Sequence, residues 1–292
     1  MSSGKTDECE LQPHAGSARP ARPRQAAWIE RSLQDDLILA ARQSGLARLL
    51  YLAEVAELRR TVGLGLSGPF VSMIAHTVVL GAVMSVVFNE PLQEFLPYFG
   101  VSFAVWQTLA SALGRMANAS ERSARYIAFP RLSSLIVYVV DAHDYFVGLI
   151  ARMLAAILVV AVASPQAFSL ANAFMSFVGS AVLILVLLVW SPIVSLALNT
   201  ARVLRGFLSQ IILMMFLVTP VFYSVERFAG HRWIADFNPV FHLLEIVRQP
   251  LLKGAIPPVS IGVCGILLLV GLLLLRIVHK RQRLSMVYGW LA

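Results

Sequence analysis

The sequence predicts an all-α integral membrane protein, and three observations lead to that prediction. The 292-residue chain is 58% hydrophobic and only 14% charged, which is too apolar for an ordinary soluble domain. It contains six apolar stretches of roughly 20 residues or more, a length that crosses about 30 Å of hydrocarbon. Its basic residues gather on alternate connections between these stretches, which is typical of an oriented membrane protein.

Each apolar stretch is predicted to be a helix because backbone polar groups in lipid must be satisfied within their own segment. The short alternating segments of a membrane β-barrel do not occur. The six predicted spans cover residues 69–88, 95–113, 134–163, 173–197, 206–224 and 257–276.

The distribution of Lys and Arg predicts which connections face the cytoplasm. Of the 24 basic residues, 19 lie on one side of a six-span chain, whereas connections 89–94 and 164–172 on the other side carry none. Connection 225–256 is the exception, with four. Because Lys and Arg mark cytoplasmic flanks, both termini are predicted to be cytoplasmic. The basic pI of about 10.0 then has a membrane explanation, and no nucleic-acid partner is predicted.

The residues before the first span divide into two predicted parts. Residues 1–27 are polar and rich in Pro, Ser and Arg, and we expect a disordered cytoplasmic tail. Residues 28–67 are predicted to form amphipathic cytoplasmic helices, with Asp35 and Asp36 on a polar face and a break at Ser44-Gly45. The apolar positions of the two helical pieces are Ile29, Leu33 and Leu37, and then Leu46, Leu49, Leu50 and Ala53.

Two readings of the second amphipathic piece remain open. The helix can lie flat at the membrane interface with its arginines near lipid phosphates. Alternatively, it is a soluble helix that packs on a partner.

Two polar connections are candidates for function. The middle of 114–133 is compatible with a short helix that ends at Phe129-Pro130-Arg131, because proline disfavours helix in the residue before it. Such a helix suits the docking of a soluble partner, and the alternative is a loop whose arginines only set topology. Within 225–256, the amphipathic stretch 239–252 is too short to span and fits a re-entrant or interfacial helix. Its candidate residues are Asn238, His242, Glu245 and Arg248.

No nucleophile–base pattern and no nucleotide-binding loop is legible, so neither an enzyme nor a cofactor site is predicted in this chain. Gly4-Lys5-Thr6 lacks the upstream glycine of a phosphate loop, and Cys9 and Cys264 offer no metal spacing. Inside the third span, Asp144 and Arg152 share a helix face about 12 Å apart. That face either meets water, substrate or a second protomer, or it lies near headgroups with a snorkelling arginine.

Aromatic residues cluster in the second and fifth spans. They form either an interfacial aromatic belt or a lining on which sugar rings stack. The candidate substrate-path residues are Tyr98, Phe103, Trp106, Phe216, Phe222 and Tyr223.

Several motifs together resemble one transporter family. They are Leu64-Gly65, Phe129-Pro130-Arg131, Thr219-Pro220-Val221-Phe222-Tyr223, and Asn238-Pro239 followed by Arg248, Leu251, Leu252 and Gly254. In this order they are similar to the six-span permease subunit of ABC-2 type exporters, nearest to the branch that exports polysaccharide, O-antigen or teichoic acid. The resemblance covers about residues 46–283.

The resemblance implies a homodimer with two copies of a separate ABC ATP-binding subunit, which would bind ATP and magnesium. It implies inner-membrane (plasma-membrane) localisation, contact with membrane lipids, and a lipid-linked glycan as substrate. Residues 68–283 would form the permease domain, and 284–292 a cytoplasmic C-terminal tail. The N-terminal amphipathic helix would be a gate helix, and the ATPase-coupling helix would contain Asn118, Glu121, Arg122 and Arg125.

The chain departs from the family pattern at two places. Arg205 is followed by Gly206-Phe207 where an Arg-Asp pair is common, and no tryptophan follows Leu64-Gly65. One alternative is therefore a related exporter of a small hydrophobic compound such as a drug or antibiotic. A remoter alternative is a membrane-embedded transferase that uses the stretch Asp141-Ala142-His143-Asp144.

Overall fold

The computed structural model describes residues 31–63, 65–124, 126, 129, 131–165, 169–225 and 230–288. Every regular element in these ranges is helical, as the sequence predicts. The predicted tail 1–27, the coupling residue Arg125 and the last four residues of the chain lie outside the described residues.

Twelve α-helices and one 3₁₀ turn at Gly65–Ser67 make up the described chain. The helices are α1 (Leu33–Arg42), α2 (Ser44–Val62), α3 (Gly68–Phe88), α4 (Leu92–Ala117), α5 (Ala119–Ala124), α6 (Ile136–Ala163), α7 (Leu170–Thr200), α8 (Arg202–Gly206), α9 (Leu208–Val218), α10 (Trp233–Asp236), α11 (Pro239–Lys253) and α12 (Pro258–Tyr288).

Four of these helices, α3, α6, α7 and α12, are long and apolar enough to cross a membrane. They coincide with the predicted first, third, fourth and sixth spans. Because a soluble chain of this size does not carry four such helices, the protein is membrane-embedded and all-α.

The predicted second and fifth spans differ from these four. Helix α4 covers the second, but its first turns contain Gln93, Glu94 and Pro97, which make it less apolar. The predicted fifth span, 206–224, is only partly helical, because α9 begins after a break at Phe207 and covers only Leu208–Val218. Helix α9 has 11 residues and rises about 16 Å, roughly half of a hydrocarbon core. It ends at Val218 because the following Thr219 is extended, as expected for a residue before proline.

Helix α4 is the centre of the fold. It packs against α3, α6, α7 and α11, and α9 adds a smaller contact. Its buried side chains include Phe95, Phe99 and Met116, and its polar Ser102 and Thr108 are also buried. A helix surrounded by protein can carry polar groups because neighbouring helices supply their hydrogen bonds.

Helix α11 lies against α7 at very short range. An added Cβ at Gly179 would overlap the main-chain carbonyl oxygen of Ile246, so only glycine fits there. Beside it, the Ser176 hydroxyl donates to the carbonyl oxygen of Val247 at 2.7 Å. This small-residue contact brings a 15-residue amphipathic helix to the middle of an apolar one.

The structure corrects the predicted polar face of α1. Asp36 was expected on a solvated face, but it is fully buried, whereas Leu37 is exposed. The hydroxyl of Ser134 donates to the Asp36 carboxylate, and the Ser133 hydroxyl donates to the Asp36 carbonyl oxygen at 3.0 Å. Donors from a distant loop therefore reverse the face that periodicity alone predicts.

The break between the two N-terminal helices occurs at Gln43, one residue before the predicted site. The buried face of α2 is also not the predicted apolar face, because Ala47 and Tyr51 are buried while Leu46 and Leu49 are exposed. Helix α2 thus packs on α6 through one stripe and leaves a separate leucine stripe uncovered by the described chain.

Candidate functional site

A charge cluster joins α2, α4, α5 and α6, and we call it the Asp141 cluster. The Asp141 carboxylate is fully buried and accepts from Nε of Arg115 at 2.6 Å. The guanidinium of Arg122 donates to both oxygens of the same carboxylate, at 2.5 and 2.6 Å. Arg115 also donates to Glu54 on α2 at 2.9 Å, and Asp144 lies 3.6 Å away. One buried carboxylate therefore binds two arginines from different elements.

The charges in this cluster favour the protonated, positively charged form of Arg115. Burial on its own would lower the pKa of Arg115, but the carboxylates of Asp141 and Asp144 raise it above its ordinary value. Burial, followed by the negative charge of Asp144, raises the pKa of the neighbouring Tyr51 to about 12. The Tyr51 ring stacks on His143 with centroids 6.0 Å apart. This ring contact joins α2 to α6, in addition to the ion pair between Glu54 and Arg115 that joins α2 to α4.

The short helix α5 lies in the predicted coupling segment. Its Arg122 is held by the Asp141 cluster and donates to the carbonyl oxygen of Arg115 at 3.0 Å. Its Glu121 is paired with Arg205 of α8, and Arg205 also donates to Asn118 at 3.1 Å. The Glu121 side chain is 66% exposed, whereas that of Arg122 is 18% exposed. The helix thus presents Glu121 outward and anchors itself through Arg122.

Four of the six predicted path aromatics, namely Phe103, Trp106, Phe216 and Phe222, come together with Phe99 in one stack between α4 and the segment that contains α9. Phe99 lies 5.1 Å from Phe103 and 5.3 Å from Phe222, centroid to centroid. Phe216 lies 4.6 Å from Phe222 and 5.1 Å from Trp106. In this conformation the rings therefore pack on each other.

A second polar group, the Arg248 cluster, joins α11 to α4 and to the chain after α9. Arg248 is buried and donates to the Ser102 hydroxyl and to the Pro220 carbonyl oxygen, each at 3.0 Å. It is also paired with the buried Glu245, and its guanidinium lies 4.3 Å from the centre of the Tyr98 ring. Because every charge is compensated, the cluster can exist within an apolar surrounding.

The other predicted residues of this region are anchors. Tyr98 donates to the carbonyl oxygen of Tyr223 at 2.8 Å. Asn238 caps α11 by accepting from the Val240 amide at 3.0 Å, a role typical of asparagine at a helix start. His242 is buried, with one ring nitrogen 3.0 Å from the hydroxyl oxygen of Ser260.

The two polar residues predicted inside the third span have different surroundings. Asp144 lies beside Arg115 in the Asp141 cluster. Arg152 donates to the Thr108 hydroxyl of α4 at 3.1 Å, so its head contacts protein. Each of the two side chains therefore contacts a residue of α4.

The two clusters mark opposite parts of α4. Ser102 belongs to the Arg248 cluster and Arg115 to the Asp141 cluster, and they are about 20 Å apart along the helix. Phe103 and Trp106 of the aromatic stack lie between them along the helix, whereas Phe99 precedes Ser102. In the part of the chain that the structure describes, no group of three His, Cys, Asp or Glu residues could hold a metal ion.

Sequence reasoning missed Asp141 as the centre of the first cluster, and also Glu54, Asp36 and Ser102. The partners of Asp141 lie 19 and 26 positions away in the chain, so no local spacing connects them. A sequence signal did exist, because a carboxylate at the start of a span needs a cation and the preceding connection is rich in arginine.

Comparison of the chain with protein-family models and with curated proteins found no match in either case.

Proposed function

We propose that this protein is the membrane subunit of an ATP-driven exporter that moves a lipid-linked polysaccharide out of the cytoplasm. In this proposal the chain crosses the inner membrane six times, with α4 as the second span and the segment 206–224, which contains α9, as the fifth. Two copies assemble with two copies of a soluble ATP-binding subunit, which holds ATP and magnesium. No covalent chemistry takes place in this chain.

The observation that carries the proposal is the set of contacts that holds α5 in place. Its Glu121 is paired with Arg205 but remains 66% exposed and can meet a soluble partner, while Arg122 connects the helix to Asp141 on α6. Through Arg115 the same carboxylate is connected to α4 and, by Glu54, to α2. A push on α5 would therefore reach three helices through short charge-assisted hydrogen bonds.

The aromatic stack supports a sugar substrate. Helix α9 has no buried residue in the described chain, so its own packing holds it weakly. The turn after it is anchored, because Thr219 and Val221 are buried and Pro220 accepts from Arg248. Movement of α9 about this anchor would separate Phe216 from Trp106 and uncover aromatic faces, which pack well on the apolar faces of sugar rings.

The decisive experiment identifies the partner and then alters the contact. The tagged full chain is purified from the membranes of cells that carry it, and we expect a soluble ABC-type ATPase in equal amount. In Glu121→Arg, we expect retention of this ATPase and export to fall about tenfold or more, because like charges across an interface cost several kcal/mol. Arg122 is left intact because its loss would leave Asp141 without its closest partner.

The matched control is Glu94→Arg, which reverses an exposed charge in the first turn of α4, far from α5. We expect it to leave ATPase retention and export unchanged. Cells without the protein should accumulate lipid-linked glycan on the cytoplasmic face. If no ATPase is retained, or if both charge reversals have the same effect, the proposed function is wrong.

A further inference from the structure

A polar groove runs along α11, close to the Arg248 cluster. Two cavities, of about 260 Å³ and about 550 Å³, adjoin this helix. Both are lined by Arg232, Phe241, Glu245 and Gln249, so they are neighbours with a common wall, and together we call them the α11 groove. Its size is in the range of about 300–1,000 Å³ that holds small-molecule ligands.

Basic side chains dominate the smaller cavity. Among the residues that the structure describes, Arg232, Arg248 and Lys253 line it, and Glu245 is the acidic lining residue. Glu245 is buried against Arg248, and this pair neutralises itself. Arg232 is 73% exposed and lies 3.5 Å from Asp236, which lines the larger cavity. Two accessible cations, Arg232 and Lys253, therefore face this cavity. Both belong to connection 225–256, which is the exception to the predicted charge asymmetry.

The remaining lining is suited to a sugar ring. Tyr98 and Phe241 supply aromatic surface, and Gln249 and Ser224 supply amide and hydroxyl groups. Aromatic faces with a few fixed polar groups are the usual composition of an oriented small-molecule site. The Tyr98 ring is itself held in place by the Arg248 guanidinium, so this wall of the cavity is preorganised.

From these features we infer that the groove along α11 binds an acidic saccharide unit, a sugar ring that carries a carboxylate or a phosphate. The anion is held by Arg232 and Lys253 at the open side, and the ring packs toward Tyr98. This inference rests on the proposed function and adds to it that the exported glycan is acidic. It also gives the cations of connection 225–256 a role in recognition rather than in topology.

The test measures binding of trigalacturonate to the purified full chain in neutral detergent, by ligand-observed NMR. The matched probe is the methyl ester of trigalacturonate, which has the same rings without charge. We expect the acid to bind about tenfold more tightly than the ester, as one lost charge-assisted hydrogen bond implies. We expect Arg232→Gln and Lys253→Gln each to remove most of this difference.

Lys280→Gln is the control variant, because it removes an exposed cation from α12 outside the groove. It should leave trigalacturonate binding unchanged. Equal binding of acid and ester, or equal loss in all three variants, would overturn the inference. Inorganic phosphate or short-chain phosphatidylglycerol that binds as tightly as trigalacturonate, with the same dependence on Arg232, would also overturn it, in favour of a simple anion or a lipid headgroup.

Failure of this inference is distinguishable from failure of the proposed function. A chain that retains its ATPase and responds to Glu121→Arg, but does not prefer the acid, loses only the groove assignment. A chain that binds trigalacturonate through Arg232 but retains no ATPase keeps the site and loses the transport mechanism.

Discussion

Replacement of Asp141 by asparagine removes the one charge that holds the Asp141 cluster together. The carboxylate is fully buried and has three contacts of 2.5–2.6 Å with Arg115 and Arg122. Loss of one partner from a buried ion pair costs roughly 3–5 kcal/mol. We expect the low end, about 3 kcal/mol, since Arg115 retains Glu54 and Asp144 and both arginines are partly exposed.

The assay is the free energy of unfolding in mixed micelles, measured by titration with sodium dodecyl sulfate and followed by circular dichroism. Asp144→Asn is the matched control, because Asp144 is partly exposed and its contact with Arg115 is 3.6 Å. We expect this control to lose under about 1 kcal/mol, as partly exposed ion pairs do. If Asp141→Asn loses no more than Asp144→Asn, the cluster does not stabilise the protein in the way described.

Two further predictions concern packing and the N-terminal helices. Gly179→Ala should destabilise the protein by roughly 1–3 kcal/mol, because the added Cβ overlaps the Ile246 carbonyl oxygen. The control is Gly262→Ala, where no described atom lies within 4 Å of the added Cβ, and we expect it to leave the stability unchanged. Equal melting temperatures for the two variants would contradict this reasoning. Asp36→Asn should make trypsin cleavage in α1 and α2 about tenfold faster, because loss of its buried hydrogen bonds favours local opening. The exposed neighbour gives the control, Asp35→Asn, and similar cleavage rates for both variants would refute a buried anchoring role.

Much of the element order could be predicted from the sequence. Apolar stretches long enough to cross a bilayer must form helices in lipid, and α3, α6 and α7 do so within a few residues of the predicted bounds, whereas α12 begins within one residue of its predicted start and extends to Tyr288. The amphipathic period in 239–252 likewise predicts α11, whose observed bounds are Pro239–Lys253. These features are local, because hydropathy and periodicity act within a single segment.

Faces and breaks were harder to predict. Asp36 is buried because hydroxyl groups about 100 residues later in the chain satisfy it, and no helical periodicity contains that information. The helix of the predicted fifth span, α9, begins at Leu208 and ends at Val218, six residues before the predicted end of the span. Composition predicts whether a segment enters lipid, but the continuity of its helix depends also on contacts with other segments.

The sequence by itself determined that the protein is helical, membrane-embedded and asymmetric in charge, since these properties depend on local composition and on the energy of transfer into lipid. Only the tertiary structure decided which charges meet. It brings Arg115 and Arg122 to Asp141, and Arg248 to Ser102, from positions as many as 146 residues apart. The physical reason is that a buried charge must find its partner in space, and helix packing, not sequence spacing, decides which partner is near.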